Sequence, residues 1–233
     1  MAGDEGTAAP KGRLFIVATP VGNLEDITLR AIRVLGEVDA VACEDTRQTL
    51  KLLNKYGLRK RLVSYYHPHE GRKIPEIIGL LKSGRDVALV SDAGTPGISD
   101  PGFPLIREAL KEGVQVVPVP GPSAVAAALS ASGLPTHRFL FAGFPPPKRE
   151  GLRKLLQSLQ GEEATLVFYL PTRRVLEFLD AVVATLGDRR VVIARELTKI
   201  HEEFIRGTAA DLRISLEKRL LKGEATVLVE GLR

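Results

Sequence analysis

With 233 residues and 44% apolar side chains, the chain can bury the core of one large domain or two ordinary ones, which excludes wholesale disorder. The net charge of +5 falls mostly on the second half: residues 1–118 carry 16 Lys/Arg against 15 Asp/Glu, and residues 119–233 carry 17 against 13. The single cysteine, Cys43, excludes an internal disulfide and a cysteine-based metal cluster, and with no Trp and few other aromatics a base-stacking platform is not evident.

Residues 1–12 are small, polar and aperiodic, and are expected to form a disordered tail. They lack the basic and apolar regions of a signal peptide, and no apolar run reaches membrane-spanning length, so a soluble, cytoplasmic protein is expected. From there short apolar, Val-rich runs alternate with helical patterns. Strands are expected at Leu14–Ala18, Val38–Ala42, Leu62–Tyr65, Val87–Val90 and Val114–Val117. Helices are expected near Leu29–Leu35, Thr46–Tyr56, Ile74–Lys82 and Pro104–Lys111, with Gly57, Gly84 and Gly113 as C-terminal caps. Such alternation indicates a parallel or mostly parallel α/β sheet.

Pro118 to Pro122 holds three prolines in five residues and reads as a linker, excluded from helix and central strand alike. Beyond it come a mostly alanine helix at Ser123–Ser132, strands at Phe139–Ala142, Thr165–Tyr169, Arg190–Ala194 and Ala225–Val229, and helices at Leu152–Leu159, Val175–Leu186 and Ala209–Leu220. Two α/β domains are therefore expected, 13–118 and 119–233, the second with longer connections and room for antiparallel strands.

Val90–Gly102, reading V-S-D-A-G-T-P-G-I-S-D-P-G, concentrates the special backbone residues: three glycines and two prolines after a buried strand. Open α/β folds bind small ligands at such strand ends. The loop after the first strand has no G-x-G-x-x-G and no Walker lysine, which counts against Rossmann and P-loop enzymes. Asp26 or Thr28 reads as a helix cap there, and Asp45 or Thr46 after the second strand. Arg47, one turn into the next helix, can hold a phosphate. His67, His69 and Glu70 suggest a metal only weakly, since no ligand spacing joins them to His137 or His201. Phe144-Pro145-Pro146-Pro147-Lys148-Arg149 is a proline-stiffened tip that can offer charge to an RNA backbone, with further basic residues at Arg173 and Arg174.

Five stretches in order carry a resemblance: A-T-P-V-G-N-L-E-D-I-T from Ala18, E-D-T-R at Glu44–Arg47, the Val90–Gly102 loop, V-P-G-P-S-A at Val119–Ala124, and A-R-E-L-T-K-I-H-E-E at Ala194–Glu203 followed by R-G-T at Arg206. Together they resemble the ribosomal RNA small subunit methyltransferase I family of the tetrapyrrole methylase superfamily. The resemblance implies two α/β domains with the cofactor site in the interdomain cleft. It also implies S-adenosylmethionine-dependent methylation of a ribose 2′-hydroxyl on a cytidine in the decoding region of 16S rRNA, cytidine 1402, in the 30S subunit, by a homodimer. Carried over residue by residue, it places the cofactor against Pro20, Asp92, Gly94, Thr95, Pro96, Ile98, Ser99, Pro120, Gly121, Ser123 and Ala124, with Leu170, Leu197 and Thr198 from the second domain. Asp100 and Glu44 are the candidate bases, and Arg47, Lys148, Arg149, Arg173 and Arg174 the candidate RNA contacts; no metal is implied. Where the family shows E-S-P-H-R, this chain has Leu170-Pro171-Thr172-Arg173-Arg174. The alternatives are a small-molecule methyltransferase of the tetrapyrrole type and a non-catalytic RNA-binding module of the same fold.

Overall fold

Buried on both faces, the Val- and Ala-rich runs of the first half form a five-stranded parallel sheet in the order β3-β2-β4-β1-β5. Its strands are β1 (Leu14–Val17), β2 (Ala40–Cys43), β3 (Arg61–Ser64), β4 (Val87–Val90) and β5 (Val116–Val119). Helices α1 (Leu29–Glu37) and α2 (Thr46–Lys55) follow β1 and β2; α3 (Glu70–Lys82) and α4 (Phe103–Lys111) follow β3 and β4. The computed structural model describes residues 10–67 and 70–232, and the chain divides into two units, Met1–Ser123 and Ala124–Arg233. Most of the expected tail thus lies outside the described residues, whereas Gly12 is buried and its N–H donates to the Leu81 carbonyl at 2.8 Å.

The two faces of this sheet bury separate cores. Ala31, Val34, Leu35, Leu52 and Leu53 of α1 and α2 cover Val17, Val41, Ala88 and Val90 on one face. Ile77, Ile78, Leu81, Leu105 and Ala109 of α3 and α4 cover Leu14, Ala42, Val63 and Leu89 on the other. The cause is the period of two along each strand, which sends successive side chains to opposite helix layers. Three expectations shift. β2 begins at Ala40 rather than Val38. β5 runs two residues later than the apolar run suggests and includes Pro118, which a central strand could not hold; at the sheet edge its missing N–H costs no ladder bond. α3 begins at Glu70 rather than Ile74, with Pro75 inside it.

The second unit opens with α5 (Ala124–Ser132) and builds a mixed sheet in the order β6-β7-β10-β8-β9. Its strands are β6 (Phe139–Gly143), β7 (Thr165–Pro171), β8 (Arg190–Arg195), β9 (Glu203–Thr208) and β10 (Glu224–Val229). Only β6 and β7 pair in parallel; every other pairing is antiparallel. One face packs against α6 (Arg149–Ser158), α7 (Val175–Leu186) and α8 (Ala209–Ser215) around Phe168, Phe178, Leu179 and Val227. The Phe168 and Phe178 rings meet edge-on at 5.1 Å, a geometry worth about 0.5–1.5 kcal/mol beyond the area they bury. On the opposite face α5 packs on β10 and β8. The strand β9 is absent from the sequence reading because it is a half-exposed edge strand with a polar, Gly-containing sequence and no sustained apolar run.

Candidate functional site

In the first unit the parallel strands bring four loops to one edge of the sheet, at the carboxyl ends of β1, β2, β4 and β5. The chain leaves β1 for α1 on one face and leaves β4 for α4 on the other, although β1 and β4 are neighbours. This is a topological switch point, where adjacent connections diverge and open a crevice. The two loops are tied across it. Thr19 N donates to the Gly94 carbonyl at 2.8 Å and Gly94 N returns a bond to the Thr19 carbonyl at 3.0 Å. The buried Thr19 hydroxyl donates to the Ser91 carbonyl at 2.9 Å, and the Ser91 hydroxyl reaches the Gly94 carbonyl at 3.2 Å.

Backbone geometry explains the loop composition. Gly94 has φ +83°, and its left-handed conformation supplies the turn that brings the loop back to Thr19. Ser99, in the same loop, also has a left-handed backbone at φ +63°, uncommon for a residue with a side chain. Pro20 and Pro96 are buried, while Ile98 is 49% exposed. The loop after β5 joins from the side: the Thr95 hydroxyl reaches the Pro122 carbonyl at 3.4 Å. A Cβ on Gly121 would stand 3.1 Å from the Ala18 Cβ, so the backbone at Gly121 approaches closer than any side chain comfortably allows. Pro120 is exposed and Ser123 half-buried on the same connection.

The caps resolve as Thr28 for α1, accepting from Ala31 N at 3.1 Å, and Asp45 for α2, accepting from Arg47 N at 2.8 Å. Asp45 also pairs with the Arg47 guanidinium at 2.8 Å, and these bonds hold its carboxyl down at about 2. The neighbouring carboxyls move the other way. Glu44, half-buried at the end of β2, is raised by desolvation and then by the negative charges of Asp92, Asp45 and Glu70. Asp92 is raised by desolvation, although its carboxylate accepts Asp45 N at 3.1 Å. Asp92 is nonetheless exposed, so solvent screens that rise. The half-buried Glu44 and the exposed Asp92 thus stand at the ends of the adjacent strands β2 and β4. Asp100 lies half-buried further along the β4 loop. At the end of β3 the buried Tyr65 hydroxyl donates to Glu70 at 2.9 Å, and His67 Nδ1 lies 3.4 Å from the other oxygen of that carboxylate; His69 lies outside the described residues.

In the second unit the connection between β8 and β9 is the strained stretch. Glu196 and Thr198 have φ of +51° and +65°, and for the β-branched Thr198 that is an outlier. Local bonds hold the conformation. The Glu202 carboxylate accepts Thr198 N at 2.6 Å, and the Glu196 carboxylate accepts Lys199 Nζ at 3.0 Å and Glu224 N at 3.1 Å. Among the described residues, Thr198 Oγ1 is one of two buried side-chain polar atoms without a hydrogen-bond partner; the other, Arg195 Nε, stands 3.4 Å from Glu203 outside hydrogen-bond geometry. A buried hydroxyl without a partner is costly unless a ligand supplies one. Leu197 beside it is buried.

Two of the expected contacts have side chains engaged within the fold. The Leu170 side chain is buried in the core against α6 and α7. Arg174 is also committed: its guanidinium donates to the Pro145 and Pro146 carbonyls at 3.1 and 2.7 Å, and its side chain is only 15% exposed. These bonds shape the proline tip and take up one N–H of each terminal guanidinium nitrogen. Arg47, Lys148, Arg149 and Arg173 are exposed. The resemblance points to the segment around Glu196–Thr198, whereas Glu202, which holds the Thr198 backbone, carries no signal beyond its spacing from Thr198.

Comparison with known proteins agrees with this geometry. The family model of the Tetrapyrrole (Corrin/Porphyrin) Methylases matches residues 13–213. The ribosomal RNA small subunit methyltransferase I of Thermotoga maritima is 48% identical over 220 residues, 94% of this chain and 99% of that protein. Its namesake in Escherichia coli O157:H7 is 46% identical over 224 residues, 95% and 78% of the two chains. Among solved structures, diphthine synthase superposes with a TM-score of 0.72 at 17% identity over 94% and 90% of the two chains. Cobalt precorrin-4 methyltransferase does so with 0.68 at 20% identity over 94% of each. The fold is therefore the one expected, with two α/β units of the tetrapyrrole methylase type, and the chain belongs to the ribosomal RNA small subunit methyltransferase I family.

Proposed function

We propose that this chain transfers a methyl group from S-adenosylmethionine to the 2′-hydroxyl of a cytidine in the decoding region of 16S ribosomal RNA. The observation that carries the reading is the β1/β4 switch point bridged by Thr19 and Gly94, in a chain whose relatives at 46–48% identity are named for methylating small-subunit ribosomal RNA. The first unit's loops suit a ligand on a further count: the left-handed Gly94 and the close approach of Gly121 to Ala18 give them a shape that side chains would not allow. By the family resemblance, the residues proposed to hold the cofactor are Pro20, Asp92, the Gly94–Ser99 loop and Pro120–Ser123 of the first unit and Ala124, Leu170, Leu197 and Thr198 of the second. The bound cofactor supplies a methyl group already activated on a sulfonium.

The chain's own tasks are then to position the ribose and to remove its proton. Fixing two reactants in line can lower the barrier by about 7–11 kcal/mol. A placed base adds about 10²–10⁴-fold, most efficiently when its pKa lies near the working pH. Glu44 fits that task, because its carboxyl stands at the end of β2 and is raised by burial and by neighbouring carboxylates. Asp45 is held ionised by Arg47 and its oxygens are occupied by the helix cap. The substrate is taken to be the 30S subunit and the active species a homodimer, both resting on the family resemblance.

Undermethylated 30S subunits incubated with the full chain and labelled S-adenosylmethionine should acquire one ribose methyl, located by nuclease digestion and mass spectrometry. Label in a base rather than a ribose, or transfer to a porphyrin-type substrate with none to RNA, would overturn the proposal.

A further inference from the structure

The composition argued against a base-stacking platform, yet the second unit assembles one. Tyr169 of β7 meets Phe141 of β6 edge-on at 4.9 Å between ring centres, and meets Phe144, just past the end of β6, at 5.4 Å with a 59° tilt. Leu140 and Ala142 pack into the core on the other face, so strand alternation directs Phe141 away from α6 and α7. Phe144 stays 58% exposed although it is an apolar ring. An exposed phenylalanine set against Tyr169, which Phe141 backs in turn, is a fixed surface rather than a loose side chain.

The segment beyond the ring is equally fixed. Arg174 donates to the carbonyls of Pro145 and Pro146, and its own charge lies 3.6 Å from Glu177. A Cβ on Gly151 would stand 2.8 Å from the Pro146 Cβ, so glycine there lets the proline tip settle on the first turn of α6. The tip ends in Lys148 and Arg149, both exposed, and Arg173 is exposed where the chain leaves β7. Of the carboxylates nearby, Glu150 is taken up by Arg153 at 2.8 Å and Lys154 at 3.8 Å, and Glu177 lies 3.6 Å from Arg174 and 4.0 Å from Arg149, whose side chain stays exposed.

We infer that Phe144, backed by Tyr169 and Phe141, stacks on an unpaired base of the RNA while Lys148, Arg149 and Arg173 hold the adjoining phosphates. The inference rests on the RNA reading above and adds to it a recognition site outside the methyl-transfer loops. Its chemistry is that of single-stranded RNA binding, in which an aromatic face takes a base and cations follow the backbone. A second copy of this chain is the competing occupant. The basic rim favours a polyanion, because two copies meeting at this surface would bring like charges together.

The test uses the full chain and a short single-stranded RNA carrying one 2-aminopurine, whose fluorescence reports stacking. Phe144→Leu keeps an apolar side chain but has no π face, and should weaken binding about 5- to 100-fold and abolish the fluorescence change. Phe144→Trp should restore both. The salt dependence of affinity should be unchanged in Phe144→Leu, and should fall by about two units of slope at most in Lys148→Ala with Arg149→Ala. Wild-type affinity in Phe144→Leu overturns the inference, as does equal behaviour of the Leu and Trp variants. So does a Phe144→Leu chain that loses its oligomeric state in light scattering while still binding RNA normally, which assigns the ring to a contact between copies. Methyl transfer assayed in parallel separates the two readings. Wild-type chain that stacks the probe but methylates no RNA breaks the functional proposal and leaves the platform standing; methylation of RNA with normal binding by Phe144→Leu breaks the platform alone.

Discussion

In the first unit every strand runs the same way, so the loops after β1, β2, β4 and β5 emerge together at one edge of the sheet. In the second unit three of the four pairings are antiparallel, and the loops are shared between both edges. The first unit gathers its candidate ligand-binding loops by topology, with glycines and prolines setting their shape. The second does so by local strain, as in Glu196 and Thr198, and by cross-strand packing, as in Phe141 and Tyr169. A site made by topology tolerates changes of side chain but not of backbone. A site made by strain depends on the particular carboxylates that hold it.

The sharpest test of this contrast is Glu44→Gln. Turnover should fall about 10²–10⁴-fold with S-adenosylhomocysteine affinity unchanged in calorimetry. Because the folded-state pKa of Glu44 is raised, its protonated form is the one the fold favours. Its contribution to stability is full below the unfolded pKa and is lost as pH rises through the folded value. Glu44→Gln should therefore melt no lower than wild type at neutral pH, and the acidic limb of the pH–rate profile should disappear. A lower melting temperature with unchanged turnover would make Glu44 a structural group.

Next in size is Gly94→Val, which forces a β-branched residue to φ +83° at the Thr19 bridge. Strain of about 1–3 kcal/mol is expected, read as a lower urea midpoint, together with at least ten-fold weaker S-adenosylhomocysteine binding. Normal affinity would show that the crevice of the first unit does not hold the cofactor. In the second unit Thr198→Val keeps the shape and removes the orphan hydroxyl. Cofactor affinity should drop about 3- to 10-fold while stability stays level or rises, since a buried unpaired hydroxyl is removed. Parallel losses of both would mean that the hydroxyl is satisfied within the fold. The smallest effect belongs to Thr28→Ala, which removes the cap of α1 and should cost about 1 kcal/mol of stability with turnover intact.

Much of the first unit was legible beforehand, because buried parallel strands are continuous apolar runs and helices between them end in glycine. Val87–Val90 and the helix at Val175–Leu186 fall where the pattern puts them. The failures have physical causes. The Val114–Val117 run marks β5, but the edge strand lies two residues later and absorbs Pro118. β9 escaped notice because a half-exposed edge strand carries little apolar period. The motif points Leu170 and Arg174 at ligands, but no spacing shows that the Leu170 side chain is buried in the core or that Arg174 donates to two carbonyls.

By itself the sequence determined the fold class, the alternation of elements and the loops rich in glycine and proline, since burial periodicity and backbone permission are local properties of the chain. It also carried the family resemblance, because the same loops recur in order. Only the tertiary structure decided which of those loops share a crevice, which carboxyls lose water and rise, and that Phe141, Phe144 and Tyr169 stand together. Those properties depend on strand order and desolvation, which bring together residues far apart in the chain and leave no spacing to read.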